Sequence, residues 1–200
     1  MIRALIVVDI QRDFCPGGAL PVTDGDKIIP AVNELVRAFE KAKLPIFFTR
    51  DWHPKNHMSF EANGGQWPPH CIRNTPGASF HPSLAVPREA EVIDKGMLQA
   101  EDAYSGFAGT DLAHKLRSLH VKQIYVAGLA TDYCVKKTVV DGTVEGFETY
   151  VVSDCVKGVN LKPTDSASAF RAMLARGAKK VTSDRLLNSL SRPAAAPTSA

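Results

Sequence analysis

Cys134 stands where an apolar run, Ile124-Tyr125-Val126-Ala127, gives way through Gly128-Leu129-Ala130-Thr131-Asp132-Tyr133 to a helical pattern. A thiol at the start of a helix feels its partial positive charge, which lowers the thiol pKa and favours the thiolate. Asp9 closes the run Leu5-Ile6-Val7-Val8, and Lys95 follows Glu91-Val92-Ile93-Asp94. A carboxylate can take the proton of an attacking thiol, and a nearby ammonium can hold both anions in place. Singly, these residues have ordinary fates: a buried free thiol, a surface or capping aspartate, a solvated lysine. Arriving together at the ends of three apolar runs, they point to nucleophilic chemistry.

A second group follows the run Pro45-Ile46-Phe47-Phe48-Thr49. Asp51, His53, His57 and His70 supply one carboxylate and up to three imidazoles, a donor set that suits Zn²⁺, Fe²⁺ or Mn²⁺. In an extended segment, Asp-x-His points both side chains to one side. Trp67-Pro68-Pro69 stiffens the return of the chain to His70. His81, His114 and His120 have no such company. The aromatics Phe14, Trp67, Tyr104 and Tyr133 lie in loops beside the same strand ends, where they could stack on a flat ligand.

The elements that must position these groups alternate along the chain. Strands are expected at 5–8, 45–49, 91–94, 124–127, 149–152 and 180–182. Helices are expected at 26–43, at 110–119 with Thr110 as N-cap, at 134–145 stopped by Gly146, and at 164–175 stopped by Gly177. Continuous apolar runs are the mark of strands buried on both faces, and parallel neighbours need helical crossovers. The pattern predicts a three-layer α/β/α sandwich around a mostly parallel sheet. In such sheets ligands bind outside the carboxyl ends of the strands, where the chemical groups above accumulate. The interval 52–88 holds six prolines and four of the six histidines. A loop of that length in a compact domain carries function. One domain is expected over 1–190, with a metal-binding loop at about 51–88 and a tail at 191–200 rich in Pro, Ala and Ser.

Composition narrows the partners. Of 200 residues, 44% are hydrophobic and 22% charged, which excludes a disordered chain. A net charge of +3 with no basic block argues against nucleic acid and anionic membranes. No apolar run reaches the length of a membrane span, and the N-terminal segment does not read as a signal peptide. A cytoplasmic location is expected, and with it four free thiols rather than disulfides.

The motifs V-V-D-I-Q-R-D-F, R-D-W-H-P-K-N-H, W-P-P-H-C, N-T-P-G-A, Y-S-G-F and G-L-A-T-D-Y-C, in this order, resemble those of the nicotinamidases in the isochorismatase-like hydrolase superfamily. The resemblance runs from about residue 3 to about residue 182. It implies a six-stranded sheet in the order 3-2-1-4-5-6, with Asp9, Lys95 and Cys134 as catalytic residues. It further implies that Asp51, His53 and His70 hold one divalent metal ion, zinc first among zinc, iron and manganese. His57 matches a histidine that binds the ion in some members and sits just outside in others. A cis peptide before Ala130 would aim that residue's N–H at an oxyanion. The implied reaction is hydrolysis of nicotinamide to nicotinate and ammonia in NAD salvage, with pyrazinamide as a further substrate. Relatives range from monomers to larger assemblies, which leaves a homodimer open. Superfamily amidases acting on carbamoyl or ureido substrates generally lack the metal ligands, and isochorismatases lack the cysteine.

Overall fold

A computed structural model describes residues 1–101 and 104–191. Six parallel strands form one sheet in the order β3-β2-β1-β4-β5-β6. They are β1 (Ile2–Val8), β2 (Ile46–Asp51), β3 (Glu91–Lys95), β4 (Val121–Leu129), β5 (Glu148–Lys157) and β6 (Lys179–Val181). Among the described residues the α-helices are α1 (Ile29–Lys41), α2 (Leu112–Ser118), α3 (Lys136–Val144), α4 (Asp165–Ala175) and α5 (Ser183–Ser191). The expected tail lies outside the described residues, except for Ser191, which ends α5.

Alternation along β1 divides the core. Leu5 and Val7 join the α1 residues Val32, Leu35, Val36 and Phe39 and the α5 residue Leu186 on one face. Ala4, Ile6 and Val8 join Leu112 and Leu116 of α2, Val139 of α3 and Met173 of α4 on the other. Each large side chain so buried contributes roughly 1.5–3 kcal/mol. The sandwich and the strand order match the expectation, because runs buried on both faces leave the sheet no exposed side.

Several boundaries differ. The expected helix at 26–43 begins as a 3-10 turn at Gly25–Ile28 and becomes α-helical only at Ile29, with Pro30 in its first turn, where the missing N–H costs nothing. Strand β5 runs on to Lys157, across a register shift opposite Val126 and Gly128. Thr110 Oγ1 receives the N–H of Leu112 at 3.3 Å and donates to the Gly106 carbonyl at 2.6 Å, so it steadies the start of α2 from one residue further out than an N-cap. Gly146 and Gly177 end their helices with positive φ, as expected. Gly128, at φ 118°, lies so close to β1 that a Cβ there would fall 2.0 Å from the Val8 carbonyl oxygen. Only glycine lets β4 pass β1 at that point.

All four cysteines are free and buried. Burial pushes Cys15 up to about 11 and Cys155 up to about 12, from an ordinary 9.0. Both folded values lie above the unfolded one, so their stabilising effect is complete below about pH 9 and is lost as pH rises through the folded values. The urea midpoint should therefore fall between about pH 9 and pH 11, and Cys155→Ala should flatten that fall. An unchanged slope in the variant would assign the loss to other groups.

Candidate active site and metal site

The carboxyl ends of β1, β2, β3 and β4 meet at one edge of the sheet. Asp9 follows β1 in a left-handed conformation, φ 49°, and is fully buried. Thr49 Oγ1 donates to Asp9 Oδ1 at 2.6 Å. Asp9 Oδ2 lies 2.8 Å from Lys95 Nζ in a fully buried ion pair. Lys95, the last residue of β3, also donates a short hydrogen bond to Asp51 Oδ1 and lies 3.6 Å from Cys134 Sγ. One ammonium thus faces two carboxylates and a thiol. The ligand atoms of Asp9, Asp51 and Cys134 lie within 4.8 Å of one another. The positive charge facing all three is that of Lys95.

Burial and charge oppose each other here. Desolvation raises the Asp9 pKa, and Lys95 only partly offsets it. Desolvation would also raise Asp51, but Lys95 and then His53 outweigh it and hold that carboxyl well below the usual range. Burial works against the charge on Lys95, yet Asp51 and Asp9 push its pKa up, so it stays protonated. The expectation for Cys134 needs correction. Its pKa is raised well above 9.0, because desolvation exceeds the lowering by Lys95. Cys134 does not open a regular α-helix either, but lies within a π turn, Thr131–Val135, that precedes α3. Burial thus favours the neutral thiol of Cys134 over its thiolate. The peptide bond between Leu129 and Ala130 is cis, at the position the motifs implied.

Beside this trio, Asp51, His53 and His70 bring one carboxylate oxygen and two imidazole nitrogens within 4.8 Å of one another, all buried. Backbone pairing of a non-sequential segment brings the two histidines together. His53 N–H donates to the Cys71 carbonyl, and Arg73 N–H donates to the His53 carbonyl. Each imidazole is oriented through its other nitrogen: His53 Nδ1 donates to the Gly96 carbonyl at 2.9 Å, and His70 Nδ1 to the Pro68 carbonyl at 2.8 Å. That fixes the tautomer leaving Nε2 of both rings as a donor to a metal. Desolvation holds His70 below the ordinary histidine value, which keeps it neutral as a ligand must be. A two-nitrogen, one-oxygen set with open positions fits a divalent ion.

His57 stands apart from this set. It stacks on His53 at 4.0 Å between ring centroids. Its Nδ1 is 2.7 Å from Ser59 Oγ, and its Nε2 is 3.0 Å from the Glu101 carbonyl. Both ring nitrogens are engaged away from the cluster.

The two groups open into one largely apolar cavity of about 340 Å³, whose walls include Phe14, Trp67, Tyr104, Tyr133, His70 and Cys134. All four aromatics named from the sequence line it. Trp67 Nε1 donates to Tyr104 Oη at 2.9 Å, and Tyr133 packs edge-on to Trp67 at 5.1 Å. Sequence reading missed Leu20, Val22 and Val159, which also line the cavity. Val159 is set in place by Asp132, whose carboxylate accepts the N–H groups of Val159 at 2.9 Å and Asn160 at 2.8 Å. Nothing local in the sequence signals that pairing across 27 residues.

The isochorismatase domain model matches residues 3–185. A nicotinamidase of Escherichia coli is 39% identical over 90% of this chain and 94% of its own length. A Pyrococcus horikoshii pyrazinamidase, solved in complex with zinc, is 52% identical with TM-score 0.87, covering 91% of this chain and 99% of that one. An L. infantum structure in complex with nicotinate is 31% identical with TM-score 0.84, covering 92% of this chain and 94% of that one.

Proposed function

The chain belongs to the isochorismatase family, and from that premise we infer that it is an amidohydrolase converting nicotinamide to nicotinate and ammonia in NAD salvage. The observation that carries this reading is the shared cavity: on one side the Cys134 thiol, backed by buried Lys95 and Asp9, and on the other His53 and His70, which converge with buried Asp51.

The chemistry follows from the placement of these groups. Asp9, its pKa raised, is a good acceptor for a proton from a thiol that burial keeps neutral. The sulfur lone pair so released forms the bond to the carboxamide carbon. The N–H groups of Ala130 and Cys134 receive the oxyanion. Asp9 returns the proton to the departing nitrogen, ammonia leaves, and a thioester remains on Cys134. Water then cleaves the thioester to nicotinate and free thiol, with Asp9 again taking and returning the proton. Lys95 holds Asp9 and Cys134 in position through both halves. Phe14, Trp67, Tyr104 and Tyr133 enclose the ring.

The site fits a divalent metal ion, for which Asp51, His53 and His70 would be the ligands. Zinc is the ion we propose, supported by the mixed nitrogen and oxygen donors and by the zinc in the Pyrococcus horikoshii relative. When bound, the ion supplies a Lewis-acid anchor for the pyridine nitrogen and so orients the ring. His57, stacked on His53, buttresses that ligand. Pyrazinamide, with a ring nitrogen in the same place, is a second substrate. Among the described residues no helix is long and apolar enough to cross a membrane. The four free thiols support a cytoplasmic enzyme.

Ammonia release from nicotinamide, with and without a chelator, tests the reading; no release from the metal-loaded protein would sink it. Benzamide separates orientation from other metal roles. It keeps the carboxamide and the flat ring but lacks the nitrogen, and a misplaced reacting carbon costs around a hundredfold. His70→Ala should cut kcat/KM for nicotinamide about a hundredfold and change that for benzamide much less. A parallel fall for both substrates would rule out orientation as the role of the ion.

A further inference from the structure

The last backbone pair between β1 and β2 is Val8 with Thr49. Beyond it β1 turns away at Asp9, φ 49°, while β2 continues two residues further to Asp51. On the β3 side Asp51 still has a neighbour, Lys95. On the β1 side its N–H and carbonyl have lost their strand. The side chain of Gln11 takes that place. Its Oε1 accepts the Asp51 N–H at 2.8 Å, and its Nε2 donates to the Asp51 carbonyl at 2.8 Å and to the Ala78 carbonyl at 2.9 Å. Gln11 is fully buried. A primary amide is the one side-chain group of this length that both donates and accepts as a peptide unit does.

Asp13, two residues on, serves the other arm of the same loop. Its Oδ2 accepts the N–H of Cys71 at 2.7 Å, and its Oδ1 accepts the N–H of Ala19 at 3.2 Å. Cys71 adjoins His70 and has a left-handed backbone, φ 45°. The fit around Asp13 is tight enough that a Cβ on Gly77 would lie 2.2 Å from its carboxylate. Phe14 completes the turn and packs on the His70 ring at 5.4 Å between centroids. The turn after β1 therefore grips the backbone at one metal-type ligand, Asp51, and beside another, His70, while supplying no ligand itself.

We propose that Gln11 and Asp13 are positioning residues of the metal site, setting the affinity for the ion by standing in for the strand that β2 lacks and by fixing the return of the chain at His70. The proposal rests on the reading of Asp51, His53 and His70 as metal ligands. Removing groups that orient metal ligands typically weakens metal binding about 10–100-fold.

The test is zinc affinity of the metal-stripped full chain, by competition with a chelator, with the urea midpoint of the zinc-free protein measured alongside. Gln11→Met keeps the volume and removes the amide; Asp13→Asn keeps the shape and removes one acceptor. Gln11→Met should weaken zinc about 10–100-fold and Asp13→Asn about tenfold. Val139→Ala, which opens a cavity in the core on the far side of the sheet, should lower the urea midpoint yet leave zinc affinity within about threefold. Zinc affinity within about threefold of the wild type in Gln11→Met, or in Asp13→Asn should Gln11→Met not fold, overturns the proposal. So does a Val139→Ala variant that loses zinc as severely, since the effect would then be general destabilisation. A wild type that does not bind zinc overturns the proposal together with the metal reading. A wild type that binds zinc but leaves nicotinamide intact sinks the function alone.

Discussion

Replacing Cys134 with alanine should lower nicotinamide turnover by a factor on the order of 10⁴ or more while leaving the fold and the metal content intact. The loss is large because, on the proposed mechanism, the thiol itself forms the covalent bond to the carboxamide carbon. The remaining machinery can still bind the ring and polarise the carbonyl, which is why some residual rate survives such deletions. The structural cost is small. Cys134 Sγ is one atom on a cavity wall, and its contact with Lys95 at 3.6 Å is the weakest of that lysine's contacts described above. Removing it leaves the ammonium still paired with Asp9 and Asp51. Cys15→Ala and Cys155→Ala, both on the α1 face of the sheet, should keep activity within about tenfold. Ammonia release, zinc content and the urea midpoint of the three variants decide the matter. Turnover by Cys134→Ala within tenfold of the wild type would end its assignment as nucleophile.

Much of this site can be read from the sequence because its parts sit at strand ends. A run such as Leu5-Ile6-Val7-Val8 announces a buried strand, and the first ionisable residue after it is then at the ligand-binding edge. That logic reaches Asp9, Asp51, His53, Lys95 and Cys134 without knowledge of their contacts. It fails where position depends on how strands end relative to one another. The role of Gln11 exists only because β1 stops pairing at Val8 and β2 does not. Asp132 and Val159 are joined across the top of the sheet by a contact with no local pattern. Helix α5 escaped notice because Leu186, Leu187 and Leu190 follow β6 with little punctuation between them. The state of Cys134 was misjudged for an energetic reason. The field of a helix terminus is a modest effect, whereas removing a thiolate from water shifts a pKa by several units.

Lys95→Ala should suppress turnover about as far as the loss of Cys134, on the order of 10⁴, because members of one catalytic unit do not act additively. Unlike Cys134→Ala, it should also destabilise the protein, by about 3–5 kcal/mol in the metal-free form, since two buried carboxylates lose their shared cation. The two effects can be separated. Without Lys95, Asp9 loses the charge that lowers its pKa most, while burial and Asp51 continue to raise it. A carboxyl whose folded pKa lies above its unfolded value stabilises at low pH and loses that contribution as pH rises through the folded value. The stability gap between Lys95→Ala and the wild type should therefore narrow from pH 8 to pH 5, by up to about 1.4 kcal/mol for each unit of added pKa shift within that window. Adding Asp9→Asn to Lys95→Ala removes one of the stranded charges, so the double variant should regain part of the lost stability at pH 8 and none of the activity. Adding Cys134→Ala instead should lower turnover no more than about tenfold beyond either single change. Urea midpoints at the two pH values, with ammonia release for every variant, supply the comparison. A gap that does not change with pH would mean that Asp9 is not the charge Lys95 compensates. A Lys95→Ala/Cys134→Ala variant far below both single variants would mean that the two residues act independently, and Lys95 would then have a role other than holding Asp9 and the thiol together.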